Sequence, residues 1–425
     1  MLREDLEQLQ IERLQATLNR VYRNVPFYRS RFDAMKFDSS RVHSLEDLRR
    51  LEFTTKDDLR ESYPYEAFAV PLRDIVRIHS TSGTTGKPLV VGYTRNDINT
   101  WASLVARVLA AADITGHDFV QIAFGYNLST GGFGFHYAAE KIGASVIPAS
   151  GEEVLKQIQV MRDFKTTAIA STPGYALHIA SVLGEMGVHP SELNLRVGLI
   201  GAEPWSERLR EEIETRLKIR TFDNYGLTEV IGPGVAFECD QRDGLHVNED
   251  HFIVEVIDPD TLEPVSPGES GELVFTTITK QGFPLIRYRS GDISALMEGE
   301  CSCGRTTRRI KRISGRTDDM IIVEGSNVFP SQIEEVLFEL EGVEPHFQII
   351  LDREEGFETV ELKVEVSEHF LKFDEIKKVQ DFQESIRREL LVRTGMRARI
   401  VFVEPMSLGR SEGRKVRRVI DKRTP

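Results

Sequence analysis

The chain has 425 residues, 40% of them hydrophobic and 28% charged, and Lys plus Arg total 54 against 67 for Asp plus Glu, a net charge of -13. That length exceeds what one core supports, so a large domain and a smaller one are expected, and the scattered Gly and Pro argue against a fibrous or disordered chain. The acidic balance opposes any general attraction to nucleic acid or to an anionic membrane, so neither is expected as a partner.

The opening segment MLREDLEQLQIERLQATL places acids among apolar residues at helical spacing and lacks the apolar stretch of a signal peptide. No segment reaches the roughly 20 uninterrupted apolar residues of a membrane span, and a cytoplasmic location is expected. Three cysteines are too few for a disulfide framework, and the close pair Cys301 and Cys303 points to metal or redox chemistry.

Asp97 is placed as the N-cap of a helix in which Ile98, Trp101, Val105, Val108 and Ala112 recur every three to four residues. Strand-like runs follow at Phe119 to Phe124, Ala144 to Ile147, Thr167 to Ala170 and Val197 to Ile200, with helical stretches at Val154 to Phe164 and Tyr175 to Met186. Strand alternating with helix predicts a mainly parallel α/β sheet, whose ligands sit beyond the carboxyl ends of the strands. Tyr126, Phe133 and Phe135 follow the first of those strands. They either wall an apolar pocket, with glycines 131, 132 and 134 leaving room for a ring, or belong to the core. His136 beside them either gates that site or is a satisfied buried histidine.

Past residue 250 the texture is β-rich (FIVEVID, GELVFTTIT, LIRYRSGD). From about 320 there follow strand MIIV, helix Ser331 to Leu340, strands FQIIL and VELKVEV, helix Glu375 to Leu391 and strand RARIVFV, the order of a split βαβ unit. The expected architecture is α/β: a large N-terminal domain over 1–317 and a small α+β C-terminal domain over 318–425.

The segment HSTSGTTGKP, His79 to Pro88, sets hydroxyl residues among glycines before Lys87. Small residues let backbone N–H groups close around an anion and the lysine adds a point charge, so it reads as a triphosphate clamp or else as a Gly/Thr-rich surface hairpin. It is not a Walker loop, which requires Gly at Thr81 and a hydroxyl residue at Pro88. The basic runs Arg308 to Arg312 and Arg414 to Arg418 read first as solvated faces.

S-T-S-G-T-T-G-K-P resembles the phosphate loop of the adenylate-forming superfamily, and further motifs of that superfamily occur in its order: Tyr225-Gly226-Leu227-Thr228-Glu229, Tyr288-Arg289-Ser290-Gly291-Asp292 and Gly315-Arg316-Thr317-Asp318-Asp319. FGYNLSTGGFGFHYAAEKIGASVIP, GAEPW, YGLTEVIGPGVAFEC, DGLHVNEDHF and DDMIIVEGSNVFPSQIEE look like the bacterial phenylacetate-CoA ligases, a resemblance that runs from NVPFYR to VIDKR. It implies a mobile C-terminal domain and an AMP-forming ligase that joins an aromatic acid such as phenylacetate to CoA through an acyl-adenylate. The substrates and cofactors implied are the acid, ATP, CoA and Mg²⁺, with a homodimer as the suggested assembly.

Residue by residue, the resemblance gives ATP contacts to Ser82, Gly83, Thr84, Thr85, Gly86 and Lys87, and to Gly201, Ala202, Glu203 and Pro204. Asn224, Tyr225 and Gly226 join them, with the Tyr225 ring against adenine, Asp292 on the ribose and Arg316 on ribose and phosphate. Thr228 would contact phosphate and Glu229 would hold Mg²⁺, a hard cation that needs only one or two carboxylates. Asp318 would be the hinge of the small domain and Gly325 would face CoA. The family's catalytic lysine lies in a pattern like S-E-G-K. Here the string is Ser411-Glu412-Gly413-Arg414-Lys415, so Lys415 takes the position when aligned from VIDKR and Arg414 when aligned forwards. The two cations are not interchangeable.

Cys239, His246, Cys301 and Cys303 use every cysteine of the chain and suit tetrahedral Zn²⁺ in a structural role, with His251 as the other imidazole and buried free thiols as the alternative. Two further readings stand beside the ligase: adenylylation of a deazaflavin cofactor without CoA, as family members with short chains and Cys-x-Cys-Gly-Arg strings do, and a catalytically degenerate nucleotide-binding protein.

Overall fold

The computed structural model describes residues 1–81, 87–151, 153–317, 319–323, 326–340, 342–354, 357–366, 376–404, 407–408 and 418–423. Its N-terminal helices are α1 (Arg3–Asn24), α2 (Pro26–Met35) and α3 (Lys56–Glu61). Leu14, Leu18 and Val21 line one face of α1 at helical spacing and pack with Tyr28 and Phe32 against Ile253, Ile278 and Ile286.

Strands β1 (Ile75–Ser80) and β2 (Val90–Thr94) pair antiparallel with Ser80 opposite Val90, so the Gly/Thr-rich segment is the connection of a hairpin. Helix α4 (Arg95–Ala111) is capped by Thr94, three residues before the expected Asp97. Thr94 Oγ1 accepts from the Asp97 N–H at 3.1 Å and Asp97 Oδ2 accepts from the Thr94 N–H at 2.8 Å. The threonine takes the cap because an acid three places on completes a reciprocal capping box.

The alternation that follows is β3 (Phe119–Ile122), α5 (Gly131–Ile142), β4 (Ser145–Ile147), α6 (Val154–Asp163), β5 (Ala168–Ser171), α7 (Pro173–Glu185), β6 (Val197–Gly201), α8 (Glu207–Leu217) and β7 (Arg220–Leu227). Strands β4, β3, β5, β6 and β7 are adjacent in that order and parallel. Trp101, Val105 and Val108 of α4 pack on one face with Val120, Ile122, Leu199 and Phe222, while Tyr175, Ile179, Leu209 and Ile213 cover Ile169 and Ile200 on the other. Burial on both faces explains the near-continuous apolar run of the central strand β6, whereas β7 beside it carries the buried polar residues Asp223 and Asn224 toward its carboxyl end.

The chain continues through β8 (Gly232–Glu238), β9 (Leu245–Val247), β10 (Phe252–Ile257), β11 (Gly271–Thr277), β12 (Tyr288–Ser294), β13 (Leu296–Met297), β14 (Arg309–Ile310) and β15 (Gly315–Arg316). Strands β8, β9, β14 and β13 extend the large sheet antiparallel from β7, and β10, β11, β12 and β15 make a second, antiparallel sheet.

The smaller domain contains β16 (Ile321–Val323), β17 (Ser326–Val328), α9 (Pro330–Phe338), β18 (Val343–Glu354), β19 (Phe357–Val366), α10 (Ile376–Thr394), β20 (Arg399–Val403) and β21 (Val419–Asp421). The expected split βαβ order is altered at its ends. MIIV pairs with Ser326–Val328 in its own hairpin, and the edge of the four-stranded sheet is β21, parallel to β18. Two residues separate β16 from β17, and a neighbour that close in sequence is the easiest pairing partner. Between Arg316, paired with Asp292 on β12, and β16 stands Asp318, which lies outside the described residues. Among the described residues no helix is long and apolar enough to cross a membrane.

Candidate active site

The carboxyl ends of β6 and β7 lie side by side, with Gly201 opposite Asn224. Asn224 Nδ2 donates to the Ile200 carbonyl at 2.9 Å, and a Cβ on Gly201 would stand 2.3 Å from the Asn224 carbonyl oxygen, so only glycine fits. Ala202 follows with φ of +71°, a left-handed backbone that L side chains rarely adopt, before Glu203, Pro204 and α8. The strained turn lies at the carboxyl ends of the parallel strands, where open α/β sheets bind ligands.

Tyr225 on β7 donates its hydroxyl to Asp292 Oδ2 at 2.6 Å, across from β12. Arg316 on β15 donates to the other carboxylate oxygen of the same aspartate, because Asp292 and Arg316 are register partners. The Tyr225 ring stacks on Phe275 at 5.8 Å, and burial beside the aspartate raises its hydroxyl pKa well above the ordinary range. Gly226 permits the next close approach, since a Cβ there would meet the Gly232 carbonyl. Tyr225, Gly226, Asp292 and Arg316, expected together from separate motifs, are thus brought together.

The turn from β7 to β8 carries Thr228 and Glu229. Thr228 Oγ1 lies 3.1 Å from Oγ1 of Thr130, which immediately precedes α5. Glu229 is buried, and the Tyr288 hydroxyl donates to its Oε1 at 3.4 Å. Lys280 lies behind the turn, buried, with Nζ donating to the Glu229 carbonyl at 3.0 Å and the Val230 carbonyl at 2.8 Å. Desolvation pushes its ammonium down to about 7, with Asp97 and Glu229 opposing the shift.

Beside Thr130, Tyr126 and Phe133 meet edge to face at 5.1 Å. Phe135 does not join them: it is buried in the core, stacked on Phe124 at 5.8 Å. Residues two apart on a helix point to different sides, and Tyr137, four residues after Phe133, shares its face instead, the rings 6.2 Å apart. The Arg77 guanidinium lies 4.5 Å over Phe133 and donates to the Tyr137 hydroxyl. His136 is half-buried and satisfied, with Nδ1 3.1 Å from the Tyr126 hydroxyl and Nε2 3.3 Å from Glu140. His79 is neutral, since burial lowers its pKa to about 4, and its Nδ1–H donates to the Leu128 carbonyl at 3.1 Å.

Lys87 is exposed, its Nζ 5.7 Å from the Tyr63 ring centre. Ser82, Gly83, Thr84, Thr85, Gly86, Gly325, Arg414 and Lys415 lie outside the described residues. The basic run at Arg308 to Arg312 is a set of internal ion pairs. Arg308 reaches Glu249, buried Arg309 pairs with Asp243, and Arg312 stands 3.1 Å from Glu207 and 3.6 Å from Asp223. Arg418, the described end of the second run, pairs with Glu334.

Away from these groups, Cys239, His246, Cys301 and Cys303 offer ligand atoms that all lie within 4.8 Å of one another. Cys239 Sγ is 3.7 Å from Cys301 Sγ, and Cys303 Sγ is 3.4 Å from His246 Nε2. His246 is brought there because β9 pairs with β14, and its Nδ1 lies 3.2 Å from the Thr307 hydroxyl, leaving Nε2 toward the sulfurs. Gly304, at φ of +80°, makes the tight turn of the Cys301–Cys303 segment. His251, the other candidate, is engaged elsewhere, 2.8 Å from Thr279 and 3.2 Å from Asp250.

Sequence reasoning missed Thr130, Tyr137, Tyr288 and Lys280. Tyr288 stood at the head of a quoted motif. A lysine after an apolar β run was the one signal for Lys280.

The AMP-binding enzyme family model matches residues 19–279, and the AMP-binding enzyme C-terminal domain model matches residues 325–423. Phenylacetate-coenzyme A ligase of Thermus thermophilus is 45% identical over 433 residues, covering 99% of this chain and 97% of that one. The enzyme of the same name from Escherichia coli is 46% identical over 422 residues, covering 99% and 95%. Among solved structures, 2-hydroxyisobutyryl-CoA ligase in the postadenylation state in complex with 2-HIB-AMP superimposes with a TM-score of 0.92 at 29% identity, covering 100% of this chain and 91% of that one. The same enzyme in complex with 2-HIB-AMP and CoA in the thioesterification state gives 0.72 at 30% identity, again covering 100% and 91%. A deazaflavin nucleotidyltransferase is not favoured, since these relatives are CoA ligases. With both family models in order and near-complete coverage by its relatives, the chain belongs to the AMP-binding enzymes and, within them, to the phenylacetate-coenzyme A ligases, which are AMP-forming acyl-CoA ligases.

Proposed function

We propose that this ligase activates an aromatic acid of the phenylacetate class. The observation that carries the reading is the junction of two surfaces: the Thr130–Thr228 contact at 3.1 Å sets the Tyr126–Phe133–Tyr137 wall against the turn bearing Thr228 and Glu229. An apolar slot ending at a phosphate-binding turn suits an acid whose ring is buried and whose carboxylate must reach the α-phosphorus.

In the first step a carboxylate oxygen attacks the α-phosphorus and pyrophosphate departs; in the second the CoA thiolate attacks the acyl carbonyl and AMP departs. Asp292, oriented by Tyr225 and Arg316, accepts from the ribose hydroxyls, and Gly201 to Pro204 with Asn224 line the nucleotide crevice. Thr228 donates to phosphate. Glu229 suits Mg²⁺ as a single buried carboxylate at that turn, and the ion supplies charge neutralisation on the phosphates when bound. Residues 82–86 and Lys87 take the β- and γ-phosphates, Lys415 bridges carboxylate and α-phosphate, Asp318 is the hinge and Gly325 faces CoA. The better superposition on the postadenylation state than on the thioesterification state supports a domain that rotates between the steps.

Cys239, His246, Cys301 and Cys303 fit a structural Zn²⁺: tetrahedral ligation with Zn–S near 2.3 Å and Zn–N near 2.0 Å requires about 3.8 Å between two sulfurs and about 3.5 Å between sulfur and nitrogen, close to the 3.7 and 3.4 Å found. Bound there, the metal would crosslink the loop carrying Cys301 and Cys303 to Cys239, just after β8, and to β9.

The test is to incubate the protein with ATP, Mg²⁺ and a panel of aromatic and aliphatic acids, with and without CoA, and to follow AMP and acyl-CoA. Aryl-CoA formation matched by AMP is expected; preference for short aliphatic acids would overturn the aromatic assignment. Lys415→Ala should abolish adenylation yet spare thioester formation from supplied acyl-adenylate, and the same loss in Arg414→Ala alone would move the role to Arg414.

A further inference from the structure

A turn that carries two ligand-binding side chains must have its own backbone fixed. After β7 the N–H groups of Val230 and Ile231 both donate to the Leu227 carbonyl at 3.1 Å. This leaves the carbonyls of Glu229, Val230 and Ile231 directed into the protein, where unpaired acceptors are costly. Lys280 Nζ satisfies the first two, at 3.0 and 2.8 Å, and the Tyr93 hydroxyl donates to the third at 2.9 Å. The two donors touch, the ammonium standing 4.7 Å from the Tyr93 ring centre and 5.3 Å from that of Phe283.

Lys280 is itself held from behind. Asp97 accepts from the N–H of Gln281 at 2.7 Å and of Gly282 at 2.9 Å while it completes the cap of α4. The lysine therefore ties the α4 corner to the peptide units on either side of Val230. A lysine side chain only 2% exposed, its Nζ bonded to two backbone carbonyls, is an expensive way to close a turn. A neutral donor would serve a purely structural turn as well. A long side chain that donates to two successive carbonyls is explained if the turn must hold the Glu229 carboxylate and the Thr228 hydroxyl in one place.

We infer that Lys280 is a positioning residue for adenylation: by fixing the Glu229 and Val230 carbonyls it aims the Glu229 carboxylate and Thr228 hydroxyl at the metal–phosphate group. The inference rests on the reading of Glu229 as the Mg²⁺ ligand.

The experiment compares wild type, Lys280→Met, which keeps length and loses charge, Lys280→Gln, which keeps one donor, and Glu229→Gln. The readouts are the Mg²⁺ concentration at half-maximal ATP–pyrophosphate exchange, the extra thermal shift that Mg²⁺ adds to that of ATP alone, and thioester formation from supplied acyl-adenylate. Loss of support behind a metal ligand should raise the half-saturating Mg²⁺ by about tenfold or more in Lys280→Met and by less in Lys280→Gln. The Mg²⁺-dependent part of the thermal shift should shrink in parallel, while thioester formation is retained. A purely structural lysine would lower the melting temperature and leave the Mg²⁺ midpoint unmoved, which overturns the inference; if Lys280→Met does not fold, the midpoint in Lys280→Gln decides in the same way. An unmoved midpoint in Glu229→Gln removes the Mg²⁺ reading itself, whereas a shift there but none at Lys280 removes only the positioning role.

Discussion

The Tyr225 hydroxyl lies 2.6 Å from Oδ2 of Asp292, joining β7 of the large sheet to β12 of the second sheet. Both residues are buried, and Arg316 holds the other oxygen of the same carboxylate. A hydrogen bond to a charged acceptor contributes about 1.5–3 kcal/mol. Tyr225→Phe keeps the ring stacked on Phe275 and frees one carboxylate oxygen, so kcat/KM for ATP should fall about tenfold, with the KM of the acid unchanged. Steady-state kinetics with each substrate varied in turn checks this. An unaltered ATP dependence would mean that Arg316 alone orients Asp292.

Phe133 and Phe135 are two residues apart and should respond in opposite ways. Phe135→Ala removes a core side chain and should cost about 3–5 kcal/mol of stability. Phe133→Ala opens the half-buried wall beside Tyr126 and should raise the KM for an aromatic acid about tenfold or more with a much smaller loss of stability. Denaturant unfolding of both variants alongside acid titrations separates the two effects.

Asp223 gives the fold a pH dependence. Burial, then repulsion from Glu238, pushes its carboxyl from its ordinary 3.8 up to about 7, although Arg210 and Arg312 stand near. The native state therefore holds a proton that the unfolded chain has released. This stabilising contribution is full below about 3.8 and is lost as the pH rises through about 7. Asp223→Asn should flatten the fall in melting temperature over that window, read by melts across the pH range. An unchanged slope would show that the carboxyl ionises normally.

The four-residue thiolate and imidazole set should bind one Zn²⁺ per chain, measured by elemental analysis of protein purified without added metal. Cys303→Ser should lose the ion and lower the melting temperature, because closing such a site contributes folding energy outright. Adenylation at a temperature where the variant remains folded should persist, since the site is distinct from the Asp292–Arg316 and Thr228–Glu229 groups. Metal-free wild type melting like the bound protein would oppose this role.

Much of this molecule is determined locally. The strand and helix alternation from β3 to β7 follows from apolar runs and helical spacing that each segment carries by itself, and the residue types of the Tyr225, Thr228, Glu229, Asp292 and Arg316 motifs carry their chemistry wherever they fold. The four metal-type ligands were legible for the same reason: cysteines are few and imidazole is their usual companion. Tertiary structure decided what depends on pairing across the chain. Register between β9 and β14 selected His246 over His251, and register between β12 and β15 joined Arg316 to Asp292. The face of α5 turned to the sheet put Phe135 in the core and left Phe133 at the wall. A lysine after an apolar β run marks Lys280 but not its role, because its partners are backbone carbonyls 50 and 51 residues earlier, and a carbonyl leaves no mark in a sequence.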